Sequence, residues 1–174
     1  MTERVIIAGA GGQGIMLLGK VLAEAAMREN KFVTWLPSYG AEVRGGTANC
    51  MVVVSDKAIG TPFIDKADSL IIMNGPSLRK FKSRLKNNGL LILNGSLADA
   101  AFDKKCVKYP FTDIAVKLGN IKTANMVALG CYLAGKNIVR FETVLKVFSD
   151  FAPSDQKDIV EINKKALFSG MELK

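Results

Sequence analysis

Two glycine-rich segments hold the residue types best suited to chemistry in this chain: Gly9-Ala-Gly-Gly-Gln-Gly14, and Tyr39-Gly-Ala-Glu-Val-Arg-Gly-Gly-Thr-Ala-Asn49. Gly9, Gly11 and Gly14 have the G-x-G-x-x-G spacing, directly after the apolar run Val5-Ile-Ile-Ala8 and before an amphipathic stretch. In that setting the N–H groups of a helix start bind anions, and the missing side chains let a phosphate reach the backbone. A dinucleotide site also needs a carboxylate at the end of the second strand to hold the ribose. Here that strand ends Thr34-Trp-Leu-Pro37, and the loop carries an extra glycine, Gly12, and a glutamine, Gln13. Free NAD is therefore not the expected ligand. Three uses stay open for Gly9, Gly11, Gly12, Gln13 and Gly14: holding an anion or cofactor phosphate, meeting another subunit, or letting a helix pack tightly on the sheet.

The second segment sets Glu42 and Arg44 beside Gly45-Gly46. Arg44 could dock on a partner carboxylate or a phosphate, where a planar guanidinium makes bidentate contacts. Alternatively it pairs with Glu42 and fixes the turn so that Gly45 and Gly46 approach another chain. Tyr39 suits a ligand stack or an interface pocket, or else packs beneath its own loop. Tyr39, Glu42, Arg44, Gly45, Gly46 and Asn49 are thus candidates for an interface or cleft loop. Asn74 and Asn94 end the fourth and fifth apolar runs, at the carboxyl edge where open α/β sheets contact ligands. Each could instead cap a turn, which suits Asn94 better. Asn125 is expected to start a buried helix and bond locally.

Composition narrows the chemistry further. Histidine is absent from all 174 residues, which removes Ser-His-Asp and Cys-His catalysis and the commonest zinc ligand. The three cysteines, Cys50, Cys106 and Cys131, are far apart in sequence and too few for an iron–sulfur cluster, which normally takes four thiolates. No catalytic and no metal-ligating residue is assigned. Lysine and arginine exceed aspartate and glutamate by 24 − 16 = 8. The basic residues are dispersed, with Lys80, Lys82, Arg84 and Lys86 spread around a predicted helix, and no reader motif or stacking platform accompanies them. An acidic partner or anionic ligand is expected rather than nucleic acid. There is no apolar run near the ~20 residues of a membrane span, nor a signal-peptide region after Met1, so a cytoplasmic, reduced protein is expected.

The elements that must position these loops follow from periodicity. Strands are predicted at 4–8, 32–36, 49–54, 69–73, 90–93 and 105–109. Helices are predicted from Gln13 to Asn30, Pro76 to Lys86, Asp113 to Leu118, Thr123 to Ala134, Phe141 to Phe151 and Ser154 to Phe168. Gly89 is read as the left-handed cap of the second helix. The link between the second and third strands is too short for a helical crossover, so they should be antiparallel neighbours. The expectation is one domain over residues 1–174. It is α/β, three-layer α/β/α and Rossmann-like, with a mostly parallel mixed sheet, one antiparallel pair and a C-terminal helical section.

Taken in order, the motifs resemble the gamma subunit of 2-oxoacid:ferredoxin oxidoreductases. Those that carry the resemblance are Gly9–Gly14, Pro37–Cys50, Ile59-Gly-Thr-Pro62, Ala67-Asp68, Met73-Asn-Gly-Pro-Ser77, Asn88–Asn94 and Thr123–Gly130. The Pro37-Ser-Tyr-Gly and Thr47-Ala-Asn-Cys forms look most like the 2-oxoglutarate or branched-chain 2-oxoacid type. The resemblance implies a subunit of an enzyme that decarboxylates a 2-oxoacid oxidatively with coenzyme A and ferredoxin as acceptor. Its alpha, beta and ferredoxin-like delta subunits would carry thiamine diphosphate and the iron–sulfur clusters. This chain would hold no cofactor alone, would meet coenzyme A in the complex, and would dimerise or aggregate when made by itself. The contrasting reading is a stand-alone nucleotide-binding or regulatory module.

Overall fold

The structure, a computed structural model, describes residues 1–38, 47–99, 105–151 and 157–173. Its strands are β1 (Thr2–Ala10), β2 (Phe32–Ser38), β3 (Thr47–Ser55), β4 (Ala67–Ile72), β5 (Leu85–Asn94) and β6 (Cys106–Tyr109). The helices are α1 (Ile15–Arg28), α2 (Gly75–Phe81), α3 (Phe111–Lys117), α4 (Ala124–Gly135), α5 (Phe141–Phe151) and α6 (Lys157–Met171). The six strands form one sheet in the order β2-β3-β1-β4-β5-β6. β1, β4, β5 and β6 run parallel, whereas β3 pairs antiparallel with both β1 and β2. The sheet is therefore mixed as expected, with a second antiparallel pairing because β3 inserts between β2 and β1.

Alternation along the strands splits the core into two faces. Val5, Ile7, Val52, Val54, Ile71 and Ile92 face a layer of α1 and α4, with α3, α5 and α6 outside it. Ile6, Ala8, Val53, Leu70, Ile72 and Leu91 face the other way, under Leu78 and Phe81 of α2 and Ile64 of a loop. One side of the sheet is thus deeply covered and the other thinly. β2 lies at an edge, which tolerates Pro37 inside the strand and leaves Trp35 partly exposed rather than in the core.

Several boundaries differ from the sequence expectation. α2 stops at Phe81, a 3-10 turn covers Lys82–Arg84, and β5 begins at Leu85, so Gly89 lies within the strand rather than capping a helix. Leu85 pairs with Ala67 and Leu90 with Ser69, and the register shift between them accommodates exposed Asn87 and Asn88. Gly89 takes no left-handed φ; a Cβ there would meet the Leu85 side chain and stand 3.1 Å from the Asp68 carbonyl oxygen, so a larger residue would require Leu85 to move. Asn30 does stop α1, at φ +58° just past the Glu29 cap. α6 begins at Lys157, and Ser154 lies outside the described residues. Among the described residues no helix is long and apolar enough to cross a membrane.

Candidate functional site

β1, β4 and β5 end side by side, so the parallel pairings gather the glycine loop, Asn74 and Asn94 at one edge. Gly14 is the N-cap of α1 in the left-handed conformation (φ +69°), with no side chain capping the first turn and no acid within it. The leading N–H groups of α1 therefore lack a side-chain acceptor, and the helix dipole there favours a negative charge. Beside this turn lies a cleft of about 170 Å³ lined by Gly12, Gln13, Leu97, Thr112, Ile121 and Lys122, with Ala124 behind them. Leu97 and Ile121 are large apolar residues left exposed, and Lys122 supplies a cation.

Gln13 turns inward. Its Oε1 accepts from Ala10 N (2.7 Å) and its Nε2 donates to the Met73 carbonyl (3.3 Å), lacing the loop to the end of β4. Gly9 is needed for the same reason, since a Cβ there would lie 2.6 Å from Gln13 Oε1 and 2.9 Å from Met73 Cβ. Gly11 and Gly12 face open space. Gly14 is crowded from an unexpected quarter: a Cβ would stand 2.3 Å from Nδ2 of Asn125 on α4, rather than against β1. That Nδ2 donates to the Gly14 carbonyl (3.1 Å) while Asn125 Oδ1 accepts from Met126 N (2.9 Å). Asn125 thus bonds across 111 residues as well as locally, and clamps the turn.

Asn74 Oδ1 accepts from Ser77 N (3.0 Å) and caps α2, directly below Pro76. Asn94 is fully buried. It donates to the Met73 carbonyl (3.2 Å) and to Thr112 Oγ1 (2.8 Å), and accepts from Ser96 N and Thr112 N (3.3 Å each). With all its bonding groups used inside the chain, Asn94 joins the ends of β4, β5 and the start of α3. Asn49 is buried in β3, level with Ala8 and Ser38. Tyr39, Glu42, Arg44, Gly45 and Gly46 lie outside the described residues. Their anchors do not: Thr47 is level with Ala10, where β1 gives way to the glycine loop, and Thr47 Oγ1 accepts from Lys80 Nζ (3.0 Å). Sequence reasoning missed Lys122, Leu97, Ile121 and Thr112. The only signal was position, since each flanks an element that ends or starts at the carboxyl edge.

The cysteines stay apart in role. Burial pushes the Cys50 thiol up to about 12 and the Cys131 thiol to about 11, and both are neutral at pH 7. Among the described residues no three His, Cys, Asp or Glu side chains gather to hold a metal.

The arrangement defines a three-layer α/β domain with a shallow cleft at its carboxyl edge, beside an uncapped helix start. The chain belongs to the pyruvate ferredoxin/flavodoxin oxidoreductase family, which it matches over residues 4–173. It is 34% identical to the ketoisovalerate oxidoreductase subunit VorA of Methanothermobacter thermautotrophicus over 97% of this chain and 36% of VorA, so it spans about a third of that relative's length. It is 33% identical to the 2-oxoglutarate synthase subunit KorC of Methanocaldococcus jannaschii, over 94% of this chain and 92% of KorC. Among solved structures, the gamma subunit of a keto/oxoacid ferredoxin oxidoreductase from Geobacter sulfurreducens superposes with a TM-score of 0.84 at 29% identity, covering 98% of this chain and 96% of that one. A 2-oxoglutarate:ferredoxin oxidoreductase from Magnetococcus marinus shares the fold, with a TM-score of 0.90 at 24% identity over 99% of this chain and 31% of that one. The family resemblance carried by the sequence motifs therefore stands.

Proposed function

We propose that this chain is the gamma-type subunit of a multisubunit 2-oxoacid:ferredoxin oxidoreductase of the 2-oxoglutarate or branched-chain type, and that its carboxyl edge completes the cleft between subunits. The observation that carries the reading is the cleft itself: an uncapped α1 start, open space at Gly11 and Gly12, and Lys122, all rimmed by exposed Leu97 and Ile121. The names of the VorA and KorC relatives support the substrate class.

The residues present fit one end of coenzyme A. Backbone N–H groups of the loop and Lys122 suit a phosphate, and the apolar rim suits a hydrocarbon segment. About 170 Å³ is below the ~300 Å³ at which small-molecule pockets begin, so the rest of the cofactor would lie against partner chains. When bound, coenzyme A supplies the thiol that takes up the acyl group. The role of this chain is to bind, orient and shield. Gln13 and Asn125 hold the loop, and Gly12 leaves the approach open. The three cysteines do not fit an iron–sulfur cluster, two being buried and neutral; clusters and thiamine diphosphate fall to the alpha, beta and delta chains.

Co-expression with candidate alpha, beta and delta chains tests this. The expected result is a complex whose coenzyme A-dependent reduction of ferredoxin is lost when this chain is omitted. Equal turnover without it overturns the reading.

A further inference from the structure

The end of the sheet away from the glycine loop carries a second concavity that the proposed function leaves unused. It is a pocket of about 290 Å³ lined by Thr2 and Arg4 of β1, Ser55 of β3, and Lys57, Ile59 and Thr61 of the segment after β3. By strand alternation Thr2 and Arg4 lie on the thinly covered face, with Ile6 and Ala8.

The charges here do not balance. Arg4 gives its backbone N–H to Asp68 Oδ2 (2.9 Å), but the guanidinium stands 3.8 Å from that carboxylate, beyond hydrogen-bond range. Asp68 is instead engaged by the Lys86 ammonium. Among the described residues none of the five side-chain N–H donors of Arg4 has an acceptor, although the side chain is only 43% exposed. Arg4 thus keeps only a long ion pair to Asp68, and Lys57 makes no ion pair among the described residues. The nearby acids are already taken. Asp56 is bound by the N-terminal amine. Glu3 lies on the opposite face, held by Lys136 (3.1 Å) and Ser69 (2.6 Å). Unpaired Lys57 and Arg4, which shares the single Asp68 carboxylate with Lys86, therefore both line one pocket. Its wall also offers a spare hydroxyl hydrogen: Thr2 Oγ1 and Ser55 Oγ share one hydrogen bond (2.9 Å), and Ser55 Oγ accepts from Lys57 N (3.1 Å).

We infer that this pocket binds a small oxyanion, a phosphate either free or as a short ester, with Arg4 as the bidentate clamp and Lys57 as the second charge. A guanidinium fork matches two phosphate oxygens, and a partly enclosed site lessens screening. The volume sits at the lower bound of small-molecule pockets, which suits a phosphate with a few carbons. Ile59 is the surface those carbons would meet.

The test is an amide-resolved NMR titration of the full chain with inorganic phosphate and, separately, with glycerol 3-phosphate, at ionic strength held constant with sodium chloride. Saturating shifts at Thr2, Gly60 and Thr61 are expected. Tighter saturation by the ester assigns the site to small phosphoesters, whereas equal or weaker saturation assigns it to free phosphate. Arg4→Met should weaken binding at these amides on the order of tenfold or more, and Lys57→Met should weaken it several-fold. Lys146→Met, on exposed α5 surface, should not change it. The inference is overturned if only Gly11, Gly12 and Gln13 shift, if no amide saturates, or if the Arg4 and Lys57 variants titrate as wild type. Should Arg4→Met fail to fold, an unchanged titration of Lys57→Met is enough to overturn it.

Discussion

Gly14 and Gly12 both hold positive φ, at +69° and +86°, yet only Gly14 has a neighbour where its side chain would be. A non-glycine residue in that region costs about 1–2 kcal/mol. Gly12→Ala should lose about that much and nothing further, since open space surrounds it. Gly14→Val adds a collision with Asn125 Nδ2, costing a further ~1–3 kcal/mol, and breaks the bond from that nitrogen to the Gly14 carbonyl. Thermal melts should rank Gly14→Val well below Gly12→Ala; equal losses would mean that the Asn125 clamp does not hold the turn. The thiols offer a second check at this scale. Cys50 and Cys131 are buried and held protonated, while Cys106 is half-buried on edge strand β6. An aromatic disulfide reagent should modify Cys106 first in the native protein and reach the other two only in denaturant. Rapid release from all three would show that the α1-side core is open.

Helices α4 and α6 meet through a pair of glycines. A Cβ on Gly130 would lie 2.1 Å from the Leu167 carbonyl oxygen, and one on Gly170 would lie 2.1 Å from that of Val127. Both obstacles are backbone, so the helices must part to admit a methyl group. Gly130→Ala should cost about 1–3 kcal/mol despite its higher helix propensity. Gly170→Ala should cost about the same, and the double variant less than the sum, because the first already separates the helices. Urea melts decide it, and a stabilised Gly130→Ala would refute the close crossing. At the end of α1, Glu29 accepts from Arg140 N (2.8 Å) and the Arg140 guanidinium (3.4 Å), anchoring the segment before α5. Burial raises the Glu29 pKa, but the bonds from Thr143 and Arg140 outweigh it and hold it below the ordinary carboxylate range. A depressed folded pKa contributes stability that is complete above the unfolded value and fades as pH falls through the folded one. Glu29→Gln should therefore melt below wild type at pH 7, with the gap closing in acid. A gap that persists unchanged below pH ~3 would exclude the charge as its source.

For the whole molecule, the carboxyl edge is the surface proposed to meet other subunits, and it carries exposed Leu97 and Ile121 as well as Thr47, the residue that follows the Tyr39–Gly46 segment. Arg44→Ala should leave the melting temperature of the isolated chain nearly unchanged, because surface ion pairs as a class contribute only ~0–1 kcal/mol. It should weaken assembly with alpha and beta chains or lower coenzyme A-dependent turnover. An unfolded variant beside a stable wild type would make Arg44 a strut and remove its docking role.

Most of this fold was legible in local pattern. The β-branched run Val5–Ala8, the helical spacing from Ile15 to Ala26 and the short β2–β3 link each name their element, because alternation and 3.6-residue periodicity are properties of neighbouring residues. The gathering of the glycine loop, Asn74 and Asn94 at one edge followed from strand order alone. The place of β3 beside β1, the bulge around Gly89, the inward turn of Gln13, the Gly130–Gly170 crossing and the Asn125–Gly14 bond did not. Each depends on which distant segments come into contact. A glycine or asparagine carries the same local signal whether it faces solvent or a helix 111 residues away, so only the packed chain decided what those residues do.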